Sequence, residues 1–157
     1  IWNITALVVS VLSVLLSLYA LRQATTKNTS DMYLFFISQY AKEDMKLALR
    51  KLKDIKRGVY RLEQWESDMK NNLPKAFEYD EARRLVKYFY DTLAYMKLEK
   101  LIEARFVRLI CLKKGAWLYL DTVEAMEKFF DSGYDKKPYA VIRDVCENLR
   151  KEGCCPP

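Results

Sequence analysis

The chain has 157 residues, with 27 Lys and Arg against 21 Asp and Glu, a formal net charge of +6 and no histidine. Without His it lacks the commonest general base and the commonest metal ligand, which argues against a His-based catalytic or zinc centre. Four glycines and four prolines argue against a loop-rich or disordered chain and predict long regular elements within one domain.

The charge is sharply partitioned. No Asp, Glu, Lys or Arg occurs from Ile1 to Leu21, so every charged side chain lies beyond that point. Ile4 to Leu21 reads ITALVVSVLSVLLSLYAL, a stretch whose helical rise of ~1.5 Å per residue nearly covers a ~30 Å hydrocarbon core. Trp2 and Tyr19 suit the two interfaces, and Arg22 suits the headgroup layer. A cleaved signal peptide is expected to carry a positive leader, and none precedes Ile4. A core helix of this kind needs a larger domain around it. The expectation is a transmembrane helix over 1–22.

Basic residues follow the span (Arg22, Lys27, Lys42) and none precedes it. The positive-inside rule therefore predicts a single-pass protein of the cytoplasmic (inner) membrane with its C-terminal part in the cytoplasm. Within the span, Ala6, Ser10, Ser13, Ser17 and Ala20 are spaced four, three, four and three apart. Small residues on one face let helix backbones approach closely in lipid, so this stripe is a candidate packing face for a copy of the chain or a different membrane partner.

Gln23 to Ser30 is polar and reads as a hinge or a frayed continuation of the helix, giving a juxtamembrane linker over 23–31. Ser30 and Asp31 are candidate caps for a helix from Met32 to Tyr40. Lys42 to Arg57 is expected to be the next helix, with Met45, Ala48, Leu49, Leu52 and Ile55 on one face, and Gly58 breaks it. Val59, Leu62, Trp65 and Met69 mark a shorter helix ending at Asn71-Asn72. The strongest pattern runs from Phe77 to Met96, with Leu85, Val86, Phe89, Leu93 and Met96 at spacings of three and four. Helices over Leu98–Ile110 and Ala116–Phe130 follow, separated by a turn at Gly115 and closed by Ser132-Gly133. Pro138 opens a last helix that ends at Gly153. The predicted fold is all-α: a helical bundle over 32–153 followed by a Cys-Cys-Pro-Pro tail, 154–157.

This order of elements resembles an uncharacterised family of small prokaryotic proteins with one N-terminal transmembrane helix and a cytoplasmic all-helical domain. The segment from Ser38-Gln39-Tyr40 to Leu52, Ala82-Arg83-Arg84, Tyr88-Phe89-Tyr90-Asp91-Thr92-Leu93, the helix Leu98–Ile110 and the Trp-containing helix Trp117–Phe130 carry the resemblance. It covers most of the chain but for the Cys-Cys-Pro-Pro tail. It implies an anchored helical domain, with no activity or site residues.

The residues weighed as chemistry point away from catalysis. Glu78, Asp80 and Glu81 cluster where a helix is expected to start and read as partners of its dipole. No nucleotide-binding loop, cofactor motif or metal-ligand spacing is present, and an enzyme is not expected. Lys46, Arg50, Lys51, Lys53, Lys56, Arg57 and Arg61 form a basic stretch. Lys46, Arg50, Lys53, Arg57 and Arg61 are its candidate surface patch, for anionic lipid headgroups or an acidic partner, against the plainer reading of a solvated helix face. No nucleic-acid-binding motif accompanies it. Tyr33, Phe35, Phe36, Tyr134 and Tyr139 are candidates for exposed interface aromatics. Cys111 and Cys146 are expected to be buried and reduced, while Cys154 and Cys155 are a candidate redox pair. These features predict a non-catalytic, membrane-anchored accessory or regulatory subunit docked on a larger membrane complex. The competing expectation is a self-associating redox sensor using Cys154 and Cys155.

Overall fold

The computed structural model describes residues 2–130 and 134–154, apart from the side chains of residues 2–12, 22 and 24–26. The described chain is all-helical. Its first helix, α1, runs unbroken over Trp2–Ala41, about 60 Å at ~1.5 Å per residue. No Gly or Pro occurs before Gly58, so nothing in the chemistry interrupts it. Residues 23–31 are therefore helix, and Ser30 and Asp31 lie mid-helix rather than capping a new one. Among the described side chains Thr29 is the first that is buried, and its hydroxyl donates to Glu103 at 3.0 Å. Ahead of it, Ser13 to Leu21, Gln23, Lys27 and Asn28 are exposed. Among the described residues, no helix is long and apolar enough to cross a membrane. The side chains of Trp2, Ala6, Ser10 and Arg22 lie outside the described residues.

One extended residue, Lys42 (ψ 148°), separates α1 from α2, Glu43–Lys56. The expected apolar face is buried through Met45, Ala48, Leu52 and Ile55. Gly58 stops α2 with φ +74°, and the Val59 amide turns back to the Asp54 carbonyl. Helix α3 is Leu62–Lys70. It starts later than the periodicity suggests because Val59 is 73% exposed and belongs to the turn. Fully buried Trp65 anchors α3, its indole N–H donating to the Ala76 carbonyl at 3.2 Å.

The centre of the bundle is α4, Pro74–Leu98, which buries residues on more than one face. Proline at its start has no amide to leave unsatisfied. The expected helix Leu98–Ile110 is divided: Leu98 ends α4, Lys100 takes φ +57°, and α5 begins only at Ala104 and runs to Cys111.

The expected helix Ala116–Phe130 is three pieces: α6 (Lys114–Leu118), a π-helical turn (Tyr119–Val123) and α7 (Glu124–Phe130). A π-turn widens the helix and shifts its register. Tyr119, Leu120, Thr122 and Val123 within it are all buried. Gly115 sits inside α6 rather than in a turn. A methyl group there would meet the Tyr90 hydroxyl at 2.7 Å and the Tyr40 hydroxyl at 2.9 Å, so glycine is what lets α6 close on α1 and α4. The Gly115 amide donates to the Tyr40 hydroxyl at 3.1 Å.

Last comes α8, Lys136–Lys151, capped by the Asp135 carboxylate on the Lys137 amide. Gly153, with φ +76°, closes it as expected. The Cys154 amide reaches Leu149 O and the Gly153 amide reaches Arg150 O, the paired bonds of a Schellman motif. Ser132 and Gly133, expected to close α7, lie outside the described residues.

Candidate functional site

Three features outside the apolar core carry charge or exposed apolar surface: a buried ionic cluster, a continuous face of α1, and a basic cleft.

The ionic cluster lies between α4, α7 and α8. Asp80 is almost wholly buried, and its two oxygens meet Arg83 Nε at 2.7 Å and Arg84 at 2.5 Å. Arg83, also buried, pairs in addition with buried Glu127 and lies over the Phe130 ring. One turn on, Lys87 bonds Asp91 at 2.5 Å, and Asp91 accepts from the Tyr119 hydroxyl at 2.5 Å. Glu124 holds Arg143 and accepts from Tyr134. Burial, then the bond to Glu124, pushes the Tyr134 phenol up to about 12. Burial raises Tyr119 and Tyr139 as well. Each acid in the cluster already holds a cation, so its chemistry is that of a fastener between helices. The expected helix-dipole role for Glu78, Asp80 and Glu81 is corrected: α4 starts earlier, at Pro74, with no acid in its first turn. Asp80 is a buried counter-ion, and Glu78 pairs with Lys51 at 3.0 Å. No cluster able to hold a metal occurs among the described residues.

The second feature follows one side of α1. Ser13, Ser17 and Ala20 are exposed, and the Ser17 hydroxyl bonds back to the Ser13 carbonyl at 2.8 Å. Ser17 and Phe35 are 18 residues apart in one helix (35 − 17), which is five turns at ~3.6 residues per turn. They therefore share a face. Phe35 is 54% exposed and lines an apolar groove of ≈ 270 Å³ with Met45, Leu85, Tyr88 and Phe89. Tyr88 is 75% exposed at its rim. Of the aromatics expected at the surface, Phe35 is there. Phe36 and Tyr139 are buried, Tyr33 stacks on Phe106, and Tyr134 is half-buried.

The third feature is a cleft of ≈ 400 Å³ lined by Lys53 and Lys56 of α2, Arg57 just after it, and Lys114, Trp117 and Leu118 of α6. Lys56 is tied to Asp121 at 2.6 Å. Among the described residues no ion pair engages Lys53, Arg57 or Lys114. Behind the cleft, the Arg150 guanidinium stacks on the Trp117 ring at 4.9 Å. Of the candidate patch Lys46, Arg50, Lys53, Arg57 and Arg61, only Lys53 and Arg57 enter the cleft. Lys46 pairs with Glu43 at 3.4 Å, and Arg50 and Arg61 stay on the open surface. Lys114 and Trp117, far off in sequence, could not be assigned to the patch from helical spacing.

Cys111 and Cys146 are buried free thiols, as expected. The Cys111 thiol is raised because it donates to Cys146 and is buried. Cys154 is exposed, and Cys155 lies outside the described residues. No family model, curated protein or solved structure matches the chain.

Proposed function

We propose that the chain is a non-catalytic, membrane-anchored accessory or regulatory subunit of a larger membrane protein complex. Residues 4–21 cross the cytoplasmic membrane once, and the bundle stands on the cytoplasmic side. The observation that carries the reading is the bare apolar surface of α1 ahead of Thr29. Val14, Leu15, Leu16, Leu18 and Leu21 are each more than half exposed, in a run without charge that begins at Ile4. Each large apolar side chain left in water forgoes about 1.5–3 kcal/mol relative to burial. Hydrocarbon removes that penalty, and a helix keeps its backbone bonds inside itself. Arg22, Lys27 and Lys42 orient the span by the positive-inside rule.

A partner is favoured over a bare anchor by the continuity of one face. The small residues Ser13, Ser17 and Ala20 lead along α1 to Phe35 and the groove with Tyr88. A partner helix packed on the small residues in lipid and continuing out of it would meet that groove.

Photo-crosslinking tests the proposal. With a photoreactive residue at Ser17 in one variant and at Tyr88 in another, both are expected to capture the same foreign polypeptide. That polypeptide should also co-purify stoichiometrically in mild detergent. Crosslinks only between copies of this chain, or its recovery alone, would overturn the docking reading.

A further inference from the structure

We propose that the cleft between α2 and α6 is a binding site for a compact soluble anion carrying two or more phosphate groups.

Lys53 in the last turn of α2 and Arg57 at its C-terminal cap stand four residues apart, where like charges repel. Lys114, brought in from α6, adds a third positive charge to the same hollow. The local acid, Asp121, is taken by Lys56 at 2.6 Å. Three exposed cations around one hollow, without a protein counter-ion among the described residues, make a positive field that an anion entering it would neutralise. The hollow has the volume of a small-ligand site. Trp117 and Leu118 supply an apolar wall that lowers the local dielectric and strengthens ionic contacts. Arg57 offers a planar fork suited to two phosphate oxygens, and Lys53 and Lys114 offer mobile point charges for the rest. An acidic peptide would suit an extended row of cations. Here the cations close around a concavity, which suits a compact polyanion.

The same chemistry exists on lipid headgroups, and position separates the sources. Gly115, next to Lys114, bonds Tyr40, which lies 19 residues (40 − 21) beyond Leu21 on α1, roughly 28 Å along the axis. Helix α2 leads onward from there. Its Met45 shares a groove with Phe89, whereas Lys51 pairs with Glu78 near the start of α4. The cleft is thus remote from the apolar run, out of reach of headgroups. This choice of a soluble source rests on the membrane reading above, whereas the anion site does not.

Calorimetric titration of the full chain in detergent micelles with tripolyphosphate tests the site. One equivalent is expected to bind at physiological ionic strength. Lys53→Gln with Lys114→Gln should weaken binding by about tenfold per cation removed. Arg57→Gln alone should do so once, and is a separate check if the double variant folds poorly. All three side chains are exposed, so helicity and melting should not change. Equal affinity in the variants, no binding, or equally tight binding of a hexaglutamate peptide would overturn the proposal. The second arm uses phosphatidylcholine vesicles with and without phosphatidylglycerol. Retention on anionic vesicles through Lys53 and Lys114, in place of tripolyphosphate binding, would assign the site to lipid and refute the soluble source.

Discussion

Arg83 illustrates how one side chain can hold several helices together. It satisfies both Asp80 on its own helix and Glu127 on α7, and all three are buried. Replacing it with Met would keep its bulk but remove the buried cation that two carboxylates share, leaving Asp80 only the exposed Arg84 and Glu127 only Lys87 at 3.9 Å. Breaking a buried pair in this way costs about 3–5 kcal/mol, so Arg83→Met should shift the denaturation midpoint far down in a urea titration. The surface change Arg50→Met should leave the midpoint nearly unchanged. Tyrosines predict a second effect at alkaline pH. A phenol whose folded pKa is raised contributes stability below the ordinary value of 10.0, and that contribution is lost as pH rises through the folded value. For Tyr134 the window runs from 10.0 to about 12, and buried Tyr119 and Tyr139 shift the same way. Absorbance of tyrosinate should therefore show a late group that ionises together with loss of the helical circular dichroism signal. Ionisation of all tyrosines near pH 10 with helicity intact would contradict this.

Among the elements, α1 is one unbroken helix whose first part is exposed and whose last part packs on the bundle. Its packing on the bundle starts at Thr29 and continues through Phe36, which meets Phe89 edge-on at 5.3 Å, to Tyr40. Removing residues 1–27 should leave that packing intact. The shortened chain is expected to stay in the supernatant without detergent, with a melting midpoint close to that of the full chain. The full chain should sediment with membranes after alkaline carbonate extraction. Helix limits set by strong local chemistry were legible in the sequence: Gly58 and Gly153 mark boundaries that the fold keeps, whereas α4 starts at Pro74, ahead of the apolar period from Phe77. The division of Leu98–Ile110 was not, because Leu98, Ile102 and Phe106 fit a helical period whether or not the chain turns between them. The π-turn at Tyr119–Val123 was equally hidden. Within it Tyr119 stacks between Tyr90 and Tyr139, with ring centroids at 5.1 and 4.5 Å, contacts between residues far apart in sequence.

For the whole molecule, the membrane reading makes a claim about sidedness. Cys111 and Cys146 are buried, and Cys154 is exposed beyond the end of α8. A membrane-impermeant maleimide should label inside-out vesicles but spare intact spheroplasts, and Cys154→Ser with Cys155→Ser should abolish the labelling. Labelling of intact spheroplasts instead would reverse the orientation derived from Arg22, Lys27 and Lys42.

What the residue order alone settled is the helical class and the uncharged run up to Leu21, since each depends on composition or short spacing. Tertiary structure decided which charges are buried and which surfaces meet. Asp80 passed from an expected helix-start acid to a core counter-ion because α4 packs against α7. Lys114 joined Lys53 and Arg57 because Gly115 lets α6 close on Tyr40 and Tyr90. Ionic and apolar contacts between residues distant along the chain depend on how helices cross, and helical periodicity carries no information about that.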